Sequence, residues 1–151
     1  MEPTYWDYFA PYQPDIEQAL HQLQEHIFEH GEYEDPLRAA AESEGKPYTP
    51  PGSIEELRQR CGDSGTHSIL DMRHVSAHPA ANSVSPVPGH RLHELLGTDK
   101  PDLIKFENEL QEADRSEAEI LDEVETGQGR YFILYKEGHP NQIFFHGSSG
   151  A

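Results

Sequence analysis

The sequence predicts an α+β domain in which a small antiparallel sheet, ending in a C-terminal hairpin, packs against several helices. Three observations carry this expectation. Stretches with apolar residues at helical spacing open at capping pairs and close at glycine, so helices outnumber strands. The two clearest strands are adjacent in the chain, which suits a hairpin better than alternating βαβ units. A length of 151 residues fits one domain with a single core.

Taken in order, residues 1–14 hold Tyr5, Trp6, Tyr8, Phe9 and Tyr12 among Pro3, Pro11 and Pro14, and proline leaves them as an extended aromatic arm. Next, Ile16, Ala19, Leu20, Leu23 and Ile27 recur at helical spacing, with Asp15 and Gln18 as a capping box and Gly31 as the stop. Four prolines make the stretch 32–52 mostly loop, with a short helix over Leu37 to Glu44. Ser53 and Glu56 cap a further short helix through Leu57, which ends near Cys61 and Gly62.

In Ser68 to Val75, Leu70 and Met72 share one face while Asp71 and Arg73 take the other, the pattern of a half-buried strand. Residues 76–89 read as a connection with a short edge strand near Ser83 to Ser85. A helix over His90 to Leu96 closes at Gly97, and Pro101 suits the first turn of another through Leu103, Ile104, Phe106 and Leu110. Ser116 and Glu119 form a third capping box ahead of Ile120, Leu121 and Val124. Tyr131 to Lys136 is apolar and aromatic on both faces, Glu137 to Asn141 supplies a Gly-Pro turn, and Gln142 to His146 returns. The expected domain spans 1–147, with helices on one face of the sheet and a flexible tail at 148–151. Its core is expected to come mainly from the first helix and the hairpin.

One cysteine, Cys61, excludes an intramolecular disulfide, and the chain shows neither a basic-then-apolar leader nor the roughly 20 apolar residues of a bilayer span. A cytoplasmic protein is expected. The net charge of −17, from 28 acids and 11 bases, repels nucleic-acid phosphates and anionic lipids and suits a basic protein partner. Neither a P-loop nor a dinucleotide fingerprint occurs.

Ten histidines call for a test of metal binding. His26 and His30 are four apart on one helix, a spacing used by zinc sites, but no third ligand is recognisable. His93-Glu94 begins like H-E-x-x-H and fails at Gly97, and Pro79 breaks up the pair His74 and His78. No metal and no cofactor are expected. Gly62-Asp63-Ser64-Gly65 matches the nucleophile loop of trypsin-like serine proteases over those residues alone, and a turn between helix and strand explains it. Cys61 at a helix end beside Ile54 and Leu57 reads as a small buried apolar residue. No catalytic residue is assigned.

Acid density is the feature that remains. Glu107, Glu109, Glu112, Asp114, Glu117, Glu119, Asp122, Glu123 and Glu125 stand against Arg115 alone, too many to find partners within the chain. They are the expected partner-binding residues, together with Tyr5, Trp6 and Tyr8 of the aromatic arm. The expected function is an acidic, non-enzymatic protein that docks on or inhibits a basic partner. Small size, high negative charge and the lack of catalytic motifs are shared by immunity proteins of toxin systems and DNA-mimic inhibitors, an analogy of composition that points to no family. The other class left open is a small enzyme or metal-binding domain in which dispersed histidines and carboxylates converge in space.

Overall fold

The computed structural model describes residues 4–62, 65–112 and 125–149. Strand β1 is Thr4–Pro11, followed by helices α1 (Ile16–Glu29), α2 (Pro36–Glu44) and α3 (Ile54–Cys61). A 3-10 turn at Ile69–Asp71 leads to the short strands β2 (His74–Val75) and β3 (Ser83–Pro86). After α4 (Gly89–Leu96) and α5 (Leu103–Glu112), the hairpin of β4 (Gly129–Lys136) and β5 (His139–Ser149) ends the described chain. The fold is α+β, as expected. The sheet order is β1-β5-β4-β3-β2, with β5 antiparallel to both its neighbours and the short pairs β3-β4 and β2-β3 parallel.

The helix starts follow from their caps. Asp15 Oδ1 accepts from the Gln18 amide at 3.1 Å, and Ser53 Oγ from the Glu56 amide at 3.1 Å. Pro101 lies just outside α5; the cap there is Asp102, whose Oδ1 accepts from the Lys105 amide at 2.6 Å. Along α1, Ala19, Leu20 and Ile27 are buried, and so is Gln24. Its Nε2 donates to the carbonyls of Ile69 at 2.9 Å and Met72 at 2.5 Å, which ties the helix to the turn beneath it. From α3, Arg58 Nε donates to the Leu70 carbonyl at 2.7 Å and Arg58 Nη2 to that of Met72 at 3.0 Å.

Several expectations change. Leu70 and Met72 are buried as the alternation requires, but the backbone there is the 3-10 turn and only His74–Val75 is strand. β3 is an inner strand, not an edge. The hairpin turn is the two residues Glu137 and Gly138, both at positive φ (53° and 81°), the conformation that matches strand twist; Pro140 lies inside β5. Residue 148, expected to begin the tail, instead continues β5: Gly147 pairs with Trp6, and the Ser148 amide donates to the Gln128 carbonyl at 3.1 Å. The helix expected after Ser116 lies outside the described residues.

Helices cover both faces of the sheet, because the hairpin is apolar on both. Trp6, Val84, Ile143 and Phe145 pack with Leu20, Ile27, Leu57, Ile69 and Met72 from α1, α3 and the 3-10 turn. On the opposite face Phe132, Leu134 and Phe144 pack with Leu92, Leu96 and Phe106 from α4 and α5. Full burial of such side chains contributes roughly 1.5–3 kcal/mol each, which makes the hairpin the centre of both cores. The aromatic arm is therefore a sheet strand, with Trp6 inside the first core. No helix among the described residues is long and apolar enough to cross a membrane.

Candidate functional site

Charge is segregated along the chain. The first basic side chain is Arg38; before it stand the acids Glu2, Asp7, Asp15, Glu17, Glu25, Glu29, Glu32, Glu34 and Asp35. Helical periodicity turns Leu20, Gln24 and Ile27 inward, so Glu17, His21, Glu25 and Glu29 are exposed on the outer side of α1. A shallow groove of about 480 Å³ runs along it, lined by Asp15, Glu17, Gln18, His21, Gln22 and Glu25. Among the described residues these acids join no ion pair. By contrast, Lys46, Arg58, Arg60, Arg73 and Arg91 each hold an acid, at 3.0, 3.5, 2.9, 3.4 and 2.8 Å. Half of the basic side chains on the described surface are thus already spent within the chain, and the surplus acid is concentrated elsewhere.

The sequence-predicted acids are only partly placed. Glu107 and Glu125 are exposed. The backbone of Glu109 and Glu112 belongs to α5, whereas Asp114, Glu117, Glu119, Asp122 and Glu123 lie outside the described residues. Of the aromatic arm, Tyr5 is exposed and Tyr8 half-buried, while Trp6 is removed from any surface role by its place in the core. Phe9 is also exposed, on the same face of β1 as Tyr5 and with its ring 5.0 Å from that of Phe144. The α1 face was missed from sequence, although the base-free run before Arg38 signals it.

A second locus is a cleft of about 550 Å³, lined among others by Tyr33, Asp35, Arg38, Arg60, Cys61 and His67. Its floor is structural. The Asp35 carboxylate, fully buried, caps α2 through the Leu37 amide at 3.0 Å and accepts from Tyr48 Oη at 2.5 Å and Arg60 Nη1 at 2.9 Å. Burial alone would raise its pKa, but these hydrogen bonds outweigh it and hold the carboxyl below its usual value. Burial and the bond to Asp35 push the Tyr48 hydroxyl up to about 12. Arg38 lies over the rings of Tyr33 and Tyr48, 4.9 and 5.3 Å from their centroids. Burial, with Asp71 and Asp35 nearby, pushes the Cys61 thiol up to about 11, and its Sγ donates to the Glu34 carbonyl at 3.3 Å. A thiol held protonated is the opposite of what a cysteine nucleophile requires.

The histidines do not converge. His26 and His30 are exposed with ring centroids 4.2 Å apart, and His30 Nδ1 donates to the His26 carbonyl at 2.8 Å. His74 Nε2 lies 2.9 Å from Ser83 Oγ. Among the described residues no group of three or more His, Cys, Asp or Glu is placed to hold a metal ion. His146 is the most perturbed: burial and the nearby Arg130 guanidinium push its pKa down to about 3, so its ring is neutral. It stacks on Phe144 at 5.5 Å, and its Nε2 has no hydrogen-bond partner among the described residues.

No protein-family model matches the chain, and neither a curated protein nor a solved structure does.

Proposed function

We propose that this protein is a non-enzymatic binding protein that docks its acidic surface on a basic partner protein, acting as an inhibitor or in an immunity-like role. The observation that carries the reading is the outer face of α1, where Glu17, Glu25 and Glu29 are exposed with no Lys or Arg on the helix. Like charges held together repel one another, and a partner's lysines and arginines relieve that repulsion. Glu107 and Glu125 extend the same chemistry elsewhere on the surface. A net charge of −17 disfavours nucleic acid and anionic membranes as direct partners. Cys61, the one cysteine, is a buried free thiol, which fits a reducing compartment such as the cytoplasm.

The test is capture from a lysate of the source cells by immobilised protein at low salt, followed by elution with a salt gradient. Wild type is expected to retain a basic protein that salt releases. The triple variant Glu17→Lys/Glu25→Lys/Glu29→Lys is expected to lose it while keeping its thermal transition. Retention of the same protein by wild type and variant, indifferent to salt, contradicts the reading for α1.

A further inference from the structure

The outer edge of β1 is unpaired over its whole length among the described residues. The Tyr12 amide donates to the Asn141 carbonyl at 3.1 Å, continuing the β1-β5 ladder. Hydrogen bonding in an antiparallel pair alternates, so even-numbered residues of β1 bond to β5 and the N–H and C=O groups of Tyr5, Asp7 and Phe9 point away from the sheet.

The other edge of the sheet differs. β2 has two residues, and its Val75 amide is taken by Glu17 Oε1 at 3.4 Å. Long edge strands are ordinarily blunted by lysine, an internal proline, a bulge or a covering segment. β1 holds neither Lys nor Arg, and its one proline, Pro11, is its last residue. Its single charge is Asp7, at the middle. Tyr5 and Phe9, 63% and 42% exposed, stand two residues to either side of Asp7 on the same face.

A second copy of the chain fits this edge poorly. Symmetric antiparallel pairing that uses all three outward-facing residues sets Asp7 opposite Asp7, between chains of net charge −17. An incoming strand with a positive charge opposite Asp7 and apolar side chains opposite Tyr5 and Phe9 satisfies both the backbone and the side chains.

We propose that β1 is a docking edge to which the basic partner adds a strand, with lysine or arginine opposite Asp7 and apolar residues opposite Tyr5 and Phe9. Backbone bonding then supplies affinity and the alternate side chains supply selectivity. This inference rests on the reading that the partner is basic, and it adds where and how the partner binds.

The experiment uses the full chain and a synthetic peptide as long as the eight residues of β1. Valine, lysine and valine alternate with threonine in the peptide, and further lysines stand at its ends. A second peptide of identical sequence and charge is N-methylated at the alternate amides that would face β1. Fluorescence anisotropy is expected to show binding of the first and about 100-fold weaker binding of the second, as loss of about three backbone hydrogen bonds implies. Hydrogen exchange at the Tyr5, Asp7 and Phe9 amides is expected to slow only with the first, and Asp7→Lys to weaken it. Equal affinities with unchanged exchange would mean that charge alone holds the peptide, so the edge inference falls while the acidic-surface reading stands. Failure of both peptides to bind at low salt overturns the edge inference, and the lysate capture then decides the acidic-surface reading independently.

Discussion

Replacing Asp35 with alanine removes the buried carboxylate on which α2, the Tyr48 loop and α3 converge. Three hydrogen bonds go at once, from the Leu37 amide, Tyr48 Oη and Arg60 Nη1. A lost helix cap costs about 1 kcal/mol, a bond from a neutral hydroxyl about 1, and one from a guanidinium roughly 1.5–3. Arg60, its side chain only 15% exposed, is left without its closest carboxylate. These contributions overlap, and breaking a buried ion pair by removing one partner costs roughly 3–5 kcal/mol in all, so a loss of about 3–4 kcal/mol is expected. For a chain of this size that lowers Tm by about 10 °C. Asp35→Asn keeps a capping oxygen and is expected to lose less.

The pH dependence has a defined sign. Because the folded carboxyl titrates below its unfolded value of about 3.9, its contribution is present above that pH and fades as pH falls through the folded value. The gap between wild type and Asp35→Asn should therefore narrow below about pH 4. Thermal and urea denaturation followed by circular dichroism measure both effects. A loss below about 1 kcal/mol for Asp35→Ala would refute the assignment of this carboxylate as a structural anchor.

Three further outcomes are expected. With a folded pKa of about 3 against about 6.5 unfolded, the neutral His146 ring contributes stability that is complete above pH 6.5 and declines toward pH 3. His146→Leu should flatten that slope, and equal slopes in urea titrations at pH 7 and pH 5 would contradict it. A Cβ on Gly147 would stand 2.6 Å from Trp6 Cη2 and 2.7 Å from the Gln128 carbonyl oxygen, so Gly147→Ala should cost about 2 kcal/mol or more; an unchanged Tm would show that the strand yields. Residues 1–126 alone, without the two strands shared by both cores, should show no cooperative thermal transition by calorimetry.

Local chemistry was legible in the sequence and long-range pairing was not. The caps at Asp15 and Ser53 act within a few residues, so their side chains announce themselves. The buried role of Gln24 depends on carbonyls 45 and 48 residues away, and the sequence shows only a polar residue near an apolar stripe. The same distance problem hid the pairing of β1 with β5, which turns an aromatic arm into an edge strand and carries Trp6 into the core. The expectation of helices on one face of the sheet fails, because Tyr131 to Lys136 is apolar on both sides and neither face can be left to water. The stretch Ser68 to Val75 alternates correctly, but one 3-10 turn also buries Leu70 and Met72, and periodicity over so few residues does not separate the two. For the candidate site, the acids of Glu107 to Glu125 stand out in the sequence by density. The α1 face is marked instead by what its neighbourhood lacks, basic residues before Arg38, and only the helix geometry gathers its acids on one side.

If exposed acid steers a basic partner, the association rate constant of the captured partner reports it. Measured on immobilised protein at about 20 and 150 mM salt, the wild-type rate is expected to fall by about tenfold, because screening shortens the reach of the field to about 8 Å. Glu17→Lys/Glu25→Lys/Glu29→Lys and Glu117→Lys/Asp122→Lys/Glu125→Lys, measured separately, identify which group of acids does the steering: its reversal slows association and removes most of the salt dependence, with stability unchanged or slightly raised. Association that is equally fast in wild type and both variants, and the same at both salt concentrations, would contradict the claim and assign the acids to solubility alone.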